Sequence, residues 1–91
     1  MVLISYDISD NKKRARFAKY IQKFGVRLQY SVYQIENSEN ILKNIITDLN
    51  NRFIKSFDES DSVYIFKLSN SCQVLKFGYA KHEDTDLLIV R

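Results

Sequence analysis

The sequence predicts an α+β fold in which two helices cover one side of an antiparallel sheet. β-branched and aromatic segments alternate with segments of helical periodicity, and a capping residue precedes each helical segment. Two glycines and no proline leave no linker, so the chain is expected to form one domain over residues 1–91. The order strand–helix–strand–strand–helix–strand is the ferredoxin-like βαββαβ plan, with an extra strand at the C-terminus.

The chain begins with a buried strand that leads directly into a helix. Residues 2–8, VLISYDI, form a nearly continuous apolar run that Asp7 interrupts near its end. Ser9 or Asp10 is expected to cap a helix over residues 11–24, because both side chains accept hydrogen bonds from free backbone N–H groups. A carboxylate at the tip of a buried strand, ahead of a cationic helix, calls for a functional explanation.

The middle of the chain supplies a strand pair and a second helix. Gly25 is expected to end the first helix, and residues 26–36, VRLQYSVYQIE, are long enough for two strands around a bend near Tyr30–Ser31. Ser38 is expected to cap a helix that reaches about Lys55. The apolar face of this helix is formed by Ile41, Ile45, Ile46, Leu49 and Phe53.

The predicted sheet has a face that the helices leave bare, since two helices cover one side only. Its remaining strands are residues 62–68, 72–78 and 86–90. By strand alternation, Leu3, Ser5 and Asp7 lie on the second side of the first strand. In the strand over 62–68, alternation likewise separates Val63 and Ile65 from Tyr64, Phe66 and Leu68. A second copy is the simplest cover, so we expect a homodimer with Asp7 near its two-fold axis.

Charge is unevenly distributed along the chain. The formal net charge is +3, yet residues 1–55 carry ten Lys and Arg against five Asp and Glu, whereas residues 56–91 carry four against six. Between residues 11 and 35 there are seven basic residues and no acid. Nucleic acid is the commonest partner of such a surface, and a solvated helix face is the alternative.

Composition also indicates where the protein works. Cys72 is the only cysteine, which excludes an intrachain disulfide and a cysteine zinc cluster and fits a reducing compartment. No apolar stretch approaches the roughly 20 residues of a membrane span. No cationic segment precedes the first apolar run, so a signal peptide is not expected. We therefore expect a cytoplasmic protein without a membrane partner.

The first helix separates apolar from cationic residues. At about 100° per residue, its core stripe consists of Phe17, Ala18, Ile21 and Phe24. The opposite side carries a stripe suited to a phosphate backbone, which consists of Lys12, Arg16, Lys19 and Lys23. Arg14 falls beside the end of the first strand, where it reaches either Asp7, in a structural ion pair, or a phosphate held by Asp7.

Two short motifs resemble the CRISPR-associated Cas-two family. The first is Tyr6-Asp7-Ile8 followed by arginines at the helix start, Arg14 and Arg16. The second is a Gly-x-Arg-x-Gln-x-Ser-x-aromatic segment, formed by Gly25, Arg27, Gln29, Ser31 and Tyr33. The family usually has phenylalanine at the position of Tyr33. Size and element order also fit, so the resemblance covers the whole chain and is loosest after Gly78.

The resemblance implies a ferredoxin-like homodimer that takes part in CRISPR spacer acquisition, where it binds DNA and bridges dimers of the CRISPR integrase. Several members cleave single-stranded RNA or duplex DNA. The two copies of Asp7 would hold one divalent metal per dimer, Mg²⁺ with Mn²⁺ as the alternative. Mg²⁺ takes one or two carboxylates and keeps several waters, which fits this pair of ligands.

These considerations select the candidate site residues. Asp7 is the metal ligand, and the catalytic group comprises Asp7 with Arg14 and Arg27, which would stabilise an anionic transition state. The candidate nucleic-acid-binding residues are Lys12, Arg14, Arg16, Lys19, Lys23, Arg27 and Ser31. Structural roles are expected for Asp10 as a cap, for Tyr6 and Tyr33 in the core, and for Ser31 as a bend residue. His82 is expected to have no catalytic role.

Two functions are compatible with these residues. One is a structural, DNA-binding subunit of the adaptation complex, and the other is an autonomous metal-dependent nuclease. The absence of a histidine base favours the structural subunit, with weak Mg²⁺-dependent phosphodiesterase activity as a secondary property. The alternative is a toxin-like ribonuclease of similar fold, which the lack of a neighbouring integrase gene would indicate.

Overall fold

The computed structural model describes residues 1–68 and 73–78, which contain one sheet and two α-helices. The strands are β1 Val2–Asp7, β2 Gly25–Gln29, β3 Val32–Ile35, β4 Ser62–Lys67 and β5 Gln73–Gly78, and the helices are α1 Asn11–Ile21 and α2 Glu39–Asp48. The predicted α+β class is confirmed. The predicted strand at 86–90, Cys72 and His82 lie outside the described residues.

All neighbouring strands of the sheet are antiparallel, in the order β2-β3-β1-β4-β5. β1 lies in the middle, so Ile4 is opposite Tyr33 of β3 on one side and Ile65 of β4 on the other. At the end of β1, Asp7 is opposite Ser62. This arrangement is compatible with the ferredoxin-like plan, and β5 extends the sheet beyond β4.

The helices pack on the face of the sheet that carries Val2, Ile4 and Tyr6 of β1. Phe17 of α1 lies at the centre of this layer, where its ring meets those of Tyr6 and Phe53 edge-on, each at a centroid distance of 5.1 Å. The apolar side chains with no solvent exposure are Ile4, Phe17, Ile21, Ile45, Leu49, Val63 and Ile65. Each such side chain contributes roughly 1.5–3 kcal/mol, so this layer dominates the stability of the fold.

Both helices begin where the sequence predicts. The side chain of Asp10 accepts a hydrogen bond from the N–H of Lys13 at 3.0 Å, and that of Ser38 accepts one from Ile41 at 3.3 Å. These bonds satisfy N–H groups that have no partner within the helix. Ser9, the other candidate cap of α1, instead donates its N–H to the carboxylate of Asp61 in the turn before β4.

The first helix ends at Ile21, earlier than the predicted end at Phe24. The N–H groups of Lys23 and Phe24 bond to the carbonyls three residues back, which tightens the chain into a turn. Gly25 is therefore not the helix stop but the first residue of β2. A Cβ at this position would lie 2.1 Å from the carbonyl oxygen of Gln34, so the close approach of β2 to β3 requires glycine.

The second helical segment changes its pitch. α2 is followed by a π-helical turn over Leu49–Phe53 and by a 3₁₀ turn over Ile54–Ser56. The segment thus ends near the predicted Lys55, but it is not α-helical throughout. Of the predicted apolar face, Ile41 and Ile46 are only half-buried, whereas Leu42, which the prediction omitted, is buried. Neither α1 nor α2, the helices of the described part of the chain, is long and apolar enough to cross a membrane.

The opposite face of the sheet, here called the open face, carries Leu3, Ser5, Asp7, Tyr64 and Phe66. Asp7 is exposed, and the other side chains are half-buried. The rings of Tyr64 and Phe66 stack with their centroids 6.1 Å apart. No helix of residues 1–68 and 73–78 covers this face, which is the face predicted to form a dimer interface.

Candidate functional site

Asp7 occupies the end of the central strand, on the open face. Its carboxylate is exposed and forms no ion pair with any cation of the described residues. An exposed, unpaired carboxylate is an oxygen ligand of the kind that Mg²⁺ takes, so the residue fits the predicted metal. Within residues 1–68 and 73–78, no three side chains of His, Cys, Asp or Glu come together to hold a metal ion.

The turn that follows Asp7 is fixed by a buried carboxylate, Asp61, which the sequence did not reveal. Asp61 has no solvent exposure. Its Oδ1 accepts the N–H of Ser9 at 3.1 Å and its Oδ2 accepts the N–H of Asp58 at 3.0 Å, while Lys13 Nζ lies 3.9 Å away. The carboxylate thereby joins the β1–α1 turn to the turn before β4 and sets where the Asp7 end of the sheet lies. An acid directly before a strand was the only signal.

Arg14 supports the same turn from the helix side. Its Nη1 donates to the carbonyl of Ile8 at 3.0 Å and to that of Ser9 at 3.3 Å, and its Nη2 donates to Asn11 Oδ1. No Arg14–Asp7 ion pair is present among the described residues, so the structural ion pair, one of the two alternatives for Arg14, does not form within one chain, and the contact with a phosphate held by Asp7 stays a prediction. The reason is that Arg14 approaches from the helix layer, whereas alternation places Asp7 on the open face.

Arg14 and Arg27 are brought together in a second place, the arginine cleft. This surface cleft of about 180 Å³ is lined by Tyr6, Asn11, Arg14, Ala15, Ala18, Arg27 and Tyr30. The guanidinium of Arg27 lies 5.5 Å from the ring centroid of Tyr30, which is 66% exposed. A stacked guanidinium keeps its in-plane N–H donors available, so the cleft suits a phosphate.

Tyr6 closes the floor of the arginine cleft with its phenol. Burial, reinforced by the neighbouring Tyr33, raises the pKa of Tyr6 to about 12, although Arg27 acts in the opposite direction. The phenol is therefore neutral at physiological pH and serves as a hydrogen-bond donor, not as a base. Both tyrosines are buried, in agreement with the predicted core roles.

The predicted cation stripe is exposed, with Lys12, Arg16 and Lys19 on α1 and Lys23 in the turn that follows it. Three of its members line a further surface cleft of about 200 Å³ between α1 and the π-helical turn, here called the Arg52 cleft. Its lining residues are Arg16, Lys19, Tyr20, Lys23 and Arg52. Arg52 was not selected from the sequence, because a lone arginine on a second helix has no distinguishing pattern.

Ser31 occupies the bend between β2 and β3. Its carbonyl oxygen accepts the N–H of Tyr6 at 3.1 Å, which continues the β1–β3 ladder into the turn. The side chain is half-buried. This contact supports the bend role, and the predicted phosphate contact of the hydroxyl remains an expectation.

These features define a small α+β protein, compatible with the ferredoxin-like plan, with an exposed strand-end carboxylate and a cationic first helix. The family model of CRISPR associated protein Cas2 matches residues 1–74. The chain belongs to this family.

Relatives agree with that assignment. CRISPR-associated endoribonuclease Cas2 1 of Archaeoglobus fulgidus is 37% identical over 71 residues, covering 77% of this chain and 72% of that protein. CRISPR-associated endoribonuclease Cas2 of Mycobacterium tuberculosis is 31% identical over 77 residues, which are 85% of this chain but only 65% of that protein. CRISPR-associated endoribonuclease Cas2 2 of Synechocystis sp. is 29% identical over 92 residues, covering 97% of this chain and 96% of that protein.

Proposed function

We propose that the protein is a subunit of CRISPR spacer acquisition that forms a homodimer, binds nucleic acid and bridges the CRISPR integrase. Weak Mg²⁺-dependent cleavage of phosphodiesters is proposed as a secondary property. Family membership supports the first part. The observation that carries the second is Asp7, an exposed carboxylate without an ion pair among the described residues, at the end of the central strand.

The homodimer is proposed to close through the open face. Stacked Tyr64 and Phe66 give this face an apolar centre, and Asp7 lies at its end. A two-fold interface uses the same patch on both copies, so each protomer would supply one Asp7 to a shared site. Mg²⁺, or Mn²⁺, bound by these carboxylates would supply a nucleophilic water and neutralise charge on the phosphate.

Nucleic-acid binding is proposed for the helix side of the sheet. The cation stripe runs along α1, and the arginine cleft adds Arg14 and Arg27 at the edge where β1 ends. Ammonium and guanidinium groups neutralise phosphates without reading bases, so binding would be tolerant of sequence. Because the sheet separates them from Asp7 in one chain, Arg14 and Arg27 are proposed to hold flanking phosphates.

An endoribonuclease working alone is the second candidate. The specific observation in its favour is that three relatives are named as CRISPR-associated endoribonucleases. The same Asp7 would be essential in that case, whereas integration would not depend on this protein. A toxin-like ribonuclease would be coded away from an integrase gene and a repeat array.

The substitution Asp7→Asn tests the proposal, since asparagine keeps the shape and loses the charge. Removing a metal ligand costs several kcal/mol of transition-state stabilisation, so cleavage falls by several decades at about 1.4 kcal/mol per decade. RNA and DNA cleavage in Mg²⁺ and in EDTA measures the first effect. Spacer integration with the cognate integrase measures the second, and it is expected to persist.

Asp10→Asn is the matched control, because it removes a nearby carboxylate while asparagine still caps α1. This variant is expected to cleave as the wild type does. Loss of integration by a folded Asp7→Asn dimer would contradict the structural role of the protein. Cleavage that survives in Asp7→Asn would contradict the assignment of Asp7.

A further inference from the structure

We propose that Arg52 completes a binding site for the sugar-phosphate backbone of a polynucleotide, in the Arg52 cleft between α1 and the π-helical turn. This inference rests on the proposed nucleic-acid binding and extends it from one helix to two elements. Its partners are Arg16 and Lys19 on α1 and Lys23 in the turn that follows α1. The sequence pattern of α1 had indicated only a single stripe of cations.

The lining of the cleft concentrates positive charge and includes no acid. It holds about 200 Å³ and is lined by four cations and one tyrosine, Tyr20. None of the four cations forms an ion pair with a carboxylate of residues 1–68 and 73–78. Four cations of one sign around a concave surface attract an anion and raise its local concentration.

Aromatic rings hold Arg52 in place before any ligand arrives. Its guanidinium carbon lies 4.5 Å from the ring centroid of Phe53 and 5.3 Å from that of Tyr20. Stacking uses the faces of the guanidinium and leaves the N–H donors at its edge, where they fit phosphate oxygens in pairs. A fixed arginine also loses less conformational entropy on binding than a free one.

Tyr20 in turn is fixed by Asp48. The phenol donates to Asp48 Oδ2 at 2.5 Å, and Lys23 Nζ lies 5.8 Å from the ring centroid. Burial, together with this hydrogen bond, raises the pKa of Tyr20 above its ordinary value, so the phenol stays neutral. The one carboxylate near the cleft is thus engaged by a phenol, and the ring beneath the cations carries no charge that would repel a phosphate.

The π-helical turn accounts for the position of Arg52. Leu49 and Phe53, at the two ends of the turn, are both buried, and the wider turn carries Arg52 between them toward α1. π-helical turns are rare and recur at functional sites. The π-helical turn is the second observation in favour of a binding site, because regular helix geometry is broken where Arg52 reaches the cleft.

The extent of the cation surface favours a polymer over a single phosphate group. From the Arg52 cleft the charge continues along α1 from Lys19 to Lys12, and at 1.5 Å per residue this distance is roughly 10 Å. With about 3.4 Å of axis per nucleotide, this length corresponds to about three nucleotides of one strand. Inorganic phosphate would occupy only one end of such a track.

The test compares Arg52→Ala with Lys43→Ala, which removes one exposed cation of α2 outside the cleft. Fluorescence anisotropy measures binding to a duplex DNA, a single-stranded RNA and vesicles of anionic lipid over a series of salt concentrations. Arg52→Ala should weaken polynucleotide binding by about tenfold or more, since charge-assisted hydrogen bonds contribute about 1.5–3 kcal/mol. Its log–log salt slope for duplex DNA should flatten by about 0.9, as for one phosphate contact. Lys43→Ala should do neither.

A second variant and a second measurement distinguish loss of phosphate binding from loss of packing in Arg52→Ala. Arg52→Lys keeps the charge and should lose less affinity than alanine, because it lacks only the planar fork. In the wild-type chain, the Arg52 Nε–H resonance should shift on titration with duplex DNA at a much lower phosphate concentration than on titration with inorganic phosphate.

The outcomes separate the two levels of inference. A wild-type protein that binds neither DNA nor RNA refutes the proposed nucleic-acid function itself. If the wild-type protein binds polynucleotide, two results overturn the Arg52 cleft alone. One is an affinity of Arg52→Ala equal to that of Lys43→Ala, and the other is an Arg52 resonance that has not moved at saturation. Binding to anionic vesicles in place of polynucleotide would also overturn it.

Discussion

The two faces of the sheet are built from the same strands but differ in how far their side chains are buried. On the helix side, Ile4, Val63 and Ile65 have no solvent exposure. On the open face, their immediate neighbours Leu3, Tyr64 and Phe66 are only half-buried by the described residues. Strand alternation therefore gives one face that the helices of the same chain cover and one face that the described residues leave partly exposed.

The faces also differ in charge. Asp7 is on the open face, whereas the cation stripe, the arginine cleft and the Arg52 cleft are on the helix side. A polyanion and a metal ion thus have separate approaches to the molecule. The closed core and the proposed phosphate-binding clefts thus lie on one side of the sheet, whereas the proposed dimer interface and the proposed metal site lie on the other.

The largest expected effect comes from a charge on the open face. In Phe66→Glu, the proposed dimer interface would bury one unpaired carboxylate per protomer. Each buried carboxylate costs about 3 kcal/mol or more, and a two-fold dimer contains two of them. Light scattering at micromolar concentration should change from about twice 10.8 kDa to 10.8 kDa. Tyr30→Glu, which changes an exposed ring at the β2–β3 bend, should leave the mass unchanged. An unaltered dimer in Phe66→Glu would exclude this face as the interface.

A truncation on the helix side should act on the fold itself. Ile4→Ala leaves a cavity in the closed layer and is expected to lower the free energy of unfolding by about 3–4 kcal/mol. Leu3→Ala, one position along the same strand, should cost less than half as much at protein concentrations low enough to keep the chain monomeric. Urea unfolding followed by circular dichroism measures both, and equal losses would mean that the two faces are equally buried.

The smallest effect is a dependence on high pH that belongs to the helix side. The pKa of Tyr6 rises from 10.0 to about 12 on folding, so the unfolded chain ionises first as pH increases. The stabilisation is complete below pH 10 and is lost between pH 10 and about 12, by roughly 2–3 kcal/mol. Tyr6→Phe should flatten the stability–pH curve in that interval. An identical curve in the variant would contradict the burial-driven shift.

The sequence predicted most of the elements because their signals are local. Asp10 and Ser38 cap their helices, and the bend near Tyr30–Ser31 separates β2 from β3. What it missed depends on contacts between distant segments. Gly25 was misread as a helix stop because its reason, the carbonyl of Gln34, lies on another strand.

The candidate site shows the same limit. Asp7 and the cation stripe stand out from strand position and helical spacing alone. Asp61 matters for the site only because the N–H groups of Ser9 and Asp58 donate to it. Arg52 matters only because the rings of Tyr20 and Phe53 lie against its guanidinium. The Arg14–Asp7 ion pair, one of the two alternatives for Arg14, is absent within one chain for a related reason, since closeness in sequence does not determine which side of the sheet a helix residue approaches.

The order of strands in the sheet has a consequence for how the protein is made. β1 leaves the ribosome first, yet its two neighbours in the sheet are β3 and β4, and β4 comes near the end of the described chain. Hairpins such as β2–β3 form from local contacts, whereas the β1–β4 ladder must close a long loop first. During synthesis, β1 therefore keeps one unpaired edge until β4 emerges. Of the five strands, the one that carries Asp7 is made first and is among the last to be completed, so the Asp7 end of the sheet takes shape only when Ser62 is in place.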